Sequence, residues 1–214
     1  MFESSPSTSV WTARDSNGNI TTFANVPASA TPTDGYGYFV DGTNLWYSNS
    51  IVDTNVTKAV GGSVAGVNRV QYLKGTTWTA RDSNGGVTTF GSIPASATPT
   101  SGFGYFVDGT NLWYSNSIVD TNVTKAVGGS VAGVNWVQYL KGNTWTIRDS
   151  NGRNDSVVLS GTPLAATPTN SLGYFISGTD LYHNGSILDT NVTKVVGGSV
   201  NGVDWVQYLK STAC

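Results

Sequence analysis

The 214-residue chain sets 11 Lys and Arg against 13 Asp and Glu, for a net charge of −2 and a pI near 5.1, which offers no basic field to a phosphate backbone and speaks against nucleic-acid binding. Only 11 % of residues are charged, yet 38 % are hydrophobic and seven Trp and ten Tyr are present, so a real core is expected and disorder is not. Its 26 glycines suit short strands and tight turns, and no run approaches the roughly 20 apolar residues of a membrane span, so neither helices nor membrane insertion is expected.

In chain order, residues 1–9 are polar and read as an N-terminal arm, without the basic start and apolar run of a secretory signal. Residues 10–214 read as one domain. Val10 to Asp15 alternates apolar and polar side chains, the period of a strand with one buried face. Asp15-Ser16-Asn17-Gly18 supplies a hairpin turn, and Ile20 to Phe23 is the returning strand. Pro27 and Pro32 mark a connection, since proline cannot donate to a central ladder. Tyr36 to Asp41, the Gly42-Thr43 turn and Leu45 to Ser48 form a second hairpin, extended by Ile51 to Asp53. Val56 to Val60 is the next strand; Gly61-Gly62 reads as its end, with a loop leading to Arg69 to Leu73.

From there the pattern returns. Trp11 to Gly18 recurs at Trp78 to Gly85 and, with one change, at Trp145 to Gly152, 67 residues apart each time. This fixes three repeats, about 11–77, 78–144 and 145–214. A half-period lies inside it: the turn marker falls at Gly42, Gly75, Gly109, Gly142, Gly178 and, altered, at Ser211, in steps of 33 to 36 residues. The sixth unit lacks the Trp strand that follows the marker elsewhere, and an unpaired Trp strand opens the chain. The expectation is a closed six-bladed β-propeller whose last blade is completed by the N-terminal strands. A threefold β-trefoil or β-prism is the alternative, and would explain the 67-residue repeat without its half-period.

Phe39-Val40-Asp41-Gly42-Thr43, Leu45-Trp46-Tyr47-Ser48 and Val56-Thr57-Lys58-Ala59-Val60-Gly61-Gly62 together resemble blades of propellers similar to the regulator of chromosome condensation, and of lectin-type propellers. The resemblance covers most of each half-repeat and implies the propeller fold. It consists of strand and turn chemistry and transfers no functional residue.

Catalytic groups are scarce. His183 is the one histidine, standing where the other repeats have Tyr47 and Tyr114, and Glu3 is the one glutamate, so no enzyme activity and no cofactor are expected. Cys214 is the sole cysteine, which removes Cys-based metal sites and leaves a disulfide between chains as one route to a homo-oligomer. Asp53-Thr54-Asn55, Asp120-Thr121-Asn122 and Asp189-Thr190-Asn191 hold too few carboxylates for calcium and read as loop caps, so no metal is expected.

Two groups of candidate ligand-binding residues recur with the repeat. The pairs Arg14-Asp15, Arg81-Asp82 and Arg148-Asp149 read either as clamps for sugar hydroxyls or as Asx turns beside an arginine laid along the sheet. The aromatics are the second group. Leu45, Trp46 and Tyr47 cannot share one face of a strand, so Trp46, Trp113 and the matching Tyr182 read either as exposed stacking platforms or as packing between blades. Arg69 stands where the other repeats have Trp136 and Trp205, which implies that those two rings are solvent-accessible.

The low charge, the Gly/Thr/Ser/Asn-rich β composition and the missing signal resemble accessory proteins of bacteriophage virions. The functional expectation is a structural or adhesive protein of a virion or another extracellular surface, with other assembly proteins or glycans as partners. A soluble, multivalent carbohydrate-binding lectin is the alternative.

Overall fold

Gly-Thr and Gly-Asn dipeptides set the hairpins. At Gly42, Gly75, Gly109, Gly142 and Gly178 φ lies between 54 and 60°, the left-handed value that a type II′ hairpin turn demands of its first central residue. A computed structural model describes residues 10–14, 17–152, 159–200 and 203–211, and among them every regular element is a strand.

The strands fall into small antiparallel sheets in sequence order. The first is the pair β1 (Trp11–Arg14) and β2 (Ile20–Phe23). Next comes a sheet of short strands: β3 (Thr31–Pro32), β4 (Tyr38–Asp41), β5 (Asn44–Tyr47) and β6 (Ser50–Asp53). A sheet built on longer strands follows: β7 (Val56–Val64), β8 (Val67–Lys74), β9 (Thr77–Asp82) and β10 (Val87–Phe90). The second repeat supplies another short sheet, β11 (Thr98–Pro99), β12 (Tyr105–Asp108), β13 (Asn111–Tyr114) and β14 (Ser117–Asp120). Its long sheet comprises β15 (Val123–Val131), β16 (Val134–Lys141) and β17 (Thr144–Asp149). The third repeat closes the series with β18 (Thr167–Pro168), β19 (Tyr174–Ser177), β20 (Asp180–His183) and β21 (Ser186–Asp189), and then the pair β22 (Val192–Val200) and β23 (Val203–Lys210). Short and long sheets thus alternate, one per half-period.

Successive sheets pack face to face, and each gap holds its own apolar core. Phe23, Val26, Ala30 and Phe39 fill the first gap, with Trp11 and Trp46 against them; Tyr38, Leu45, Val56, Val70 and Tyr72 fill the second. Leu73, Trp78, Phe90, Ile93 and Phe106 fill the third. The fourth repeats the second one period later, and the fifth follows the third with Ile147 and Leu159 where the third has Ala80 and Phe90. Fully burying one Leu, Phe or Val side chain contributes roughly 1.5–3 kcal/mol, so each gap is a substantial adhesive unit. Stability is then a chain of nearest-neighbour terms.

Two strand assignments differ from the sequence expectation. Pro32, read as part of a connection, ends the short edge strand β3, where its missing N–H breaks no central ladder. Gly61-Gly62 does not end its strand: β7 runs through both residues to Val64 and turns at Ala65-Gly66. The glycines are there because a Cβ on Gly61 would lie 1.9 Å from the backbone nitrogen of Gly35, in the preceding short sheet. Glycine inside a strand marks such close backbone approach. The expected completion of the last sheet by the N-terminal strands is also not seen, since β1 pairs only with β2 and β23 only with β22 among the described residues. Arg153, Asp155 and Ser156 in the third repeat, like residues 1–9, Asp15 and Cys214, lie outside the described residues.

Candidate functional site

Two side chains lock each long sheet to the short sheet that follows it. The ammonium of Lys58 on β7 donates to the carbonyls of Ala95, Ser96 and Ala97 at 3.1, 3.5 and 3.3 Å, and Lys125 on β15 does the same to Leu164, Ala165 and Ala166. Each also lies near a tryptophan face, Trp78 at 5.8 Å and Trp145 at 5.9 Å. The buried amide of Gln71 on β8 donates to Thr100 O and Gly102 O while its carbonyl accepts from Gly104 N at 2.7 Å. Gln138 repeats this with Thr169, Ser171 and Gly173. Every polar atom of these amides is thereby engaged, as burial demands.

In the third repeat the same residues are Lys194 and Gln207, and both are exposed. They line a shallow open hollow together with Val195, Val196, Tyr208 and Leu209. Tyr72 and Leu73 on β8 are 0 and 5 % exposed, whereas Tyr208 and Leu209 are 41 and 54 % exposed. Val196, paired with Gln207, is exposed beside them. This face of β22–β23 and its unpaired strand edge form the clearest candidate interface among the described residues. Sequence reasoning passed over Lys194, Gln207, Tyr208 and Leu209, although aligning the three repeats at positions 58, 71, 72 and 73 picks them out.

The aromatic candidates lie elsewhere. Trp46, Trp113 and Tyr182 are half-buried and each packs on the core shared with the preceding long sheet, opposite the face that carries Leu45, Leu112 or Leu181. A neighbouring sheet packs on each face, so both rings of the alternating pair are partly covered rather than presented as open platforms. The indole N–H groups of Trp46 and Trp113 are buried without a protein acceptor.

Trp136 corrects the expectation of exposure, being 2 % exposed, and Trp205 is half-buried. Each indole lies on a glycine of the partner strand: a Cβ on Gly129 would sit 2.5 Å from Trp136, and one on Gly198 2.7 Å from Trp205. Arg69 fits the same position for a different reason, because its guanidinium stacks 4.4 Å from the ring centre of Phe103 in the next sheet. Tolerance of arginine there reflects an aromatic partner, not open solvent.

The Arg–Asp pairs divide between two tasks. Asp82 Oδ1 accepts from the backbone of Asn84 and Gly86 at 2.9 and 2.8 Å, and Asp149 Oδ1 from Asn151 at 2.9 Å, so both carboxylates cap turns. Half-buried Arg81 lies by Tyr38 and Tyr72, and Arg148 by Tyr105 and Tyr139, on the face away from the tryptophans. Arg14 is exposed. The arginines and the candidate tryptophans therefore occupy different gaps and make no joint site.

A further triad recurs around the aspartates of the Asp-Thr-Asn turns. Asp53 accepts from Thr54 N, Tyr72 OH and Lys74 Nζ at 2.8, 2.7 and 2.6 Å; Asp120 does so from Thr121, Tyr139 and Lys141, and Asp189 from Thr190, Tyr208 and Lys210. Partial burial works against the charge of Asp53 and Asp120, but the lysine and tyrosine donors outweigh it and hold both carboxyls below the usual carboxylate range. Burial, reinforced by the acceptor aspartate, pushes the Tyr72 and Tyr139 hydroxyls up. His183 stacks on Tyr174 with ring centres 4.3 Å apart. Among the described residues no three His, Cys, Asp or Glu side chains gather as a metal site would require.

No protein-family model matches the chain, and no curated protein or solved structure is significantly similar to it.

Proposed function

We propose that this protein is a non-enzymatic structural or adhesive component of an extracellular assembly, most concretely an accessory or host-surface-binding part of a bacteriophage virion. The observation that carries this reading is the open face of β22–β23, where Tyr208 and Leu209 expose the apolar surface that Tyr72 and Leu73, and Tyr139 and Leu140, bury. Such a face is built to be covered by protein. In this reading the sixth sheet is completed by pairing β23 with a β1 strand. Made within one chain, that pairing closes a six-bladed propeller; made between chains, it links copies.

The lectin alternative draws on the threefold repetition of Trp46, Trp113 and Tyr182. It is less well supported, since these rings pack between sheets and a sugar needs an open aromatic face. Light scattering of the purified chain across a concentration series, run beside a glycan array, tests the choice. Species above the 22.4 kDa chain mass and a blank array are expected. A monomer that binds a defined glycan, with binding lost in Trp46→Ala while the β circular dichroism is kept, would replace this reading with the lectin.

A further inference from the structure

We propose that β23 of one copy pairs with β1 of a second copy, fusing the two half-sheets into one four-stranded long sheet and joining the chains head to tail. This rests on the assembly reading above and names its contact.

The halves match. β22–β23 reproduce the strand lengths and register of β7–β8, with Gly197 opposite Val206 as Gly61 is opposite Val70. β1–β2 reproduce β9–β10, with Trp11 opposite Phe23 as Trp78 is opposite Phe90. Within the complete sheet β8 meets β9 as Leu73 with Trp78, Tyr72 with Thr79 and Val70 with Arg81. Carried to the ends of the chain, this register sets Leu209 against Trp11, Tyr208 against Thr12 and Val206 against Arg14. Trp11 then enters the hollow beside Leu209, and Arg14 comes to Tyr208 as Arg81 stands by Tyr72.

The polar locks match as well. Lys194 gains the carbonyls of Ala28, Ser29 and Ala30, which correspond to those that Lys58 takes at Ala95, Ser96 and Ala97. Gln207 gains Thr33 O, Gly35 O and Gly37 N, the counterparts of the groups that hold Gln71. A core, an edge ladder and two side-chain locks are thus all offered at one end and all awaited at the other.

A second copy is the occupant for two reasons. The half-sheets of one chain stand as separate sheets although both are present. Nor does the sequence before β1 repeat the motif of that strand, for Ser4-Ser5-Pro6-Ser7 stand where the repeat has Gln-Tyr-Leu-Lys, and proline cannot donate to a central ladder. Because donor and acceptor surfaces differ, the contact is heterologous: it propagates into a filament or closes as a ring of several copies.

Single-cysteine chains Thr12→Cys and Tyr208→Cys, both carrying Cys214→Ser, provide the test. The two positions are exposed, and opposed residues in an antiparallel pair have Cα atoms close enough for a disulfide. On mild oxidation of an isotope-labelled mixture, mass spectrometry is expected to find linked dimers holding one chain of each kind, well above like-with-like dimers. Leu209→Asp is expected to raise the midpoint concentration of association about tenfold or more, with unchanged circular dichroism; Gln207→Ala moves it less. A chain bearing both cysteines that instead closes on itself as a monomer would overturn the proposal in favour of propeller closure. Assembly that persists unchanged in Leu209→Asp, without mixed disulfides, sinks this contact while leaving the assembly reading intact. A monomer at every concentration with no mixed disulfide sinks both.

Discussion

Strand pairs β7–β8 and β22–β23 hold nearly the same residues in the same register, yet one is the buried heart of a sheet and the other is half open to water. Val56 pairs with Lys74 and Val192 with Lys210; Tyr72 donates to Asp53 and Tyr208 to Asp189. What differs is what lies beyond. β8 has β9 at its edge and a short sheet against each face, whereas β23 has no further strand at its edge and, among the described residues, only the preceding short sheet against it, through Ser171 and Leu172. Burial of a strand in this protein is therefore conferred by the next unit along the chain, and local sequence only makes the strand fit to receive it.

The sharpest way to break the comparison is to cut the same leucine in both places. Leu73→Ala is expected to cost about 2–5 kcal/mol, the range for a fully buried leucine that leaves a cavity. Leu209→Ala in dilute solution should change stability by less than about 0.5 kcal/mol. Urea denaturation of the two variants checks this, and equal losses would mean that β23 is covered in solution.

A smaller contrast lies in the glutamines. Gln138→Ala strands the buried N–H of Gly173 and the carbonyl of Thr169, while the Ser171 carbonyl keeps Tyr174 N, at an expected cost of about 1–3 kcal/mol. Gln207→Ala should leave the urea midpoint of the dilute chain where it was.

The smallest effect concerns pH. Asp53 and Asp120 have lower pKa values folded than unfolded, so the folded state binds fewer protons. Their stabilisation is present at neutral pH and is lost as pH falls through the ordinary aspartate value near 3.8 and on through the depressed folded values. Urea midpoints measured between about pH 6 and pH 3 should fall less steeply in Asp53→Asn than in the unaltered chain. Asp189→Asn, at the open end, should alter the slope least, since the Tyr208 that donates to it stands open to water while Tyr72 and Tyr139 are buried.

Much of this was legible from residue spacing. The Gly-Thr turns, the strand alternation and the two interleaved periods are local properties, and they place the β4–β5 and β8–β9 hairpins directly. What escaped is non-local. Gly61-Gly62 look like a loop until Gly35 arrives against them from a residue pair 26 positions away in sequence. Trp136 looks exposed until Gly129 is seen under its ring, and Arg69 looks solvated until Phe103 is seen beside it. Alternation correctly separates Leu45 and Tyr47 from Trp46, but it carries no information on whether a second sheet will cover the other face. The locks of Lys58 and Gln71 span 37 to 39 and 29 to 33 residues, beyond the reach of any local pattern.

Those spans have a consequence for heredity. Each complete long sheet has a short sheet before it, which sets Gly35 against Gly61, and another after it, which accepts the lysine and glutamine. The smallest stretch of gene that can be copied or lost without mismatching its neighbours is therefore the pair of sheets, 67 codons in the first two repeats. Copying a long sheet alone would set it against its own copy, with the lysine and glutamine of the first deprived of the loops they hold. The chain can be lengthened or shortened only in whole periods, and its length is quantised by the reach of two side chains.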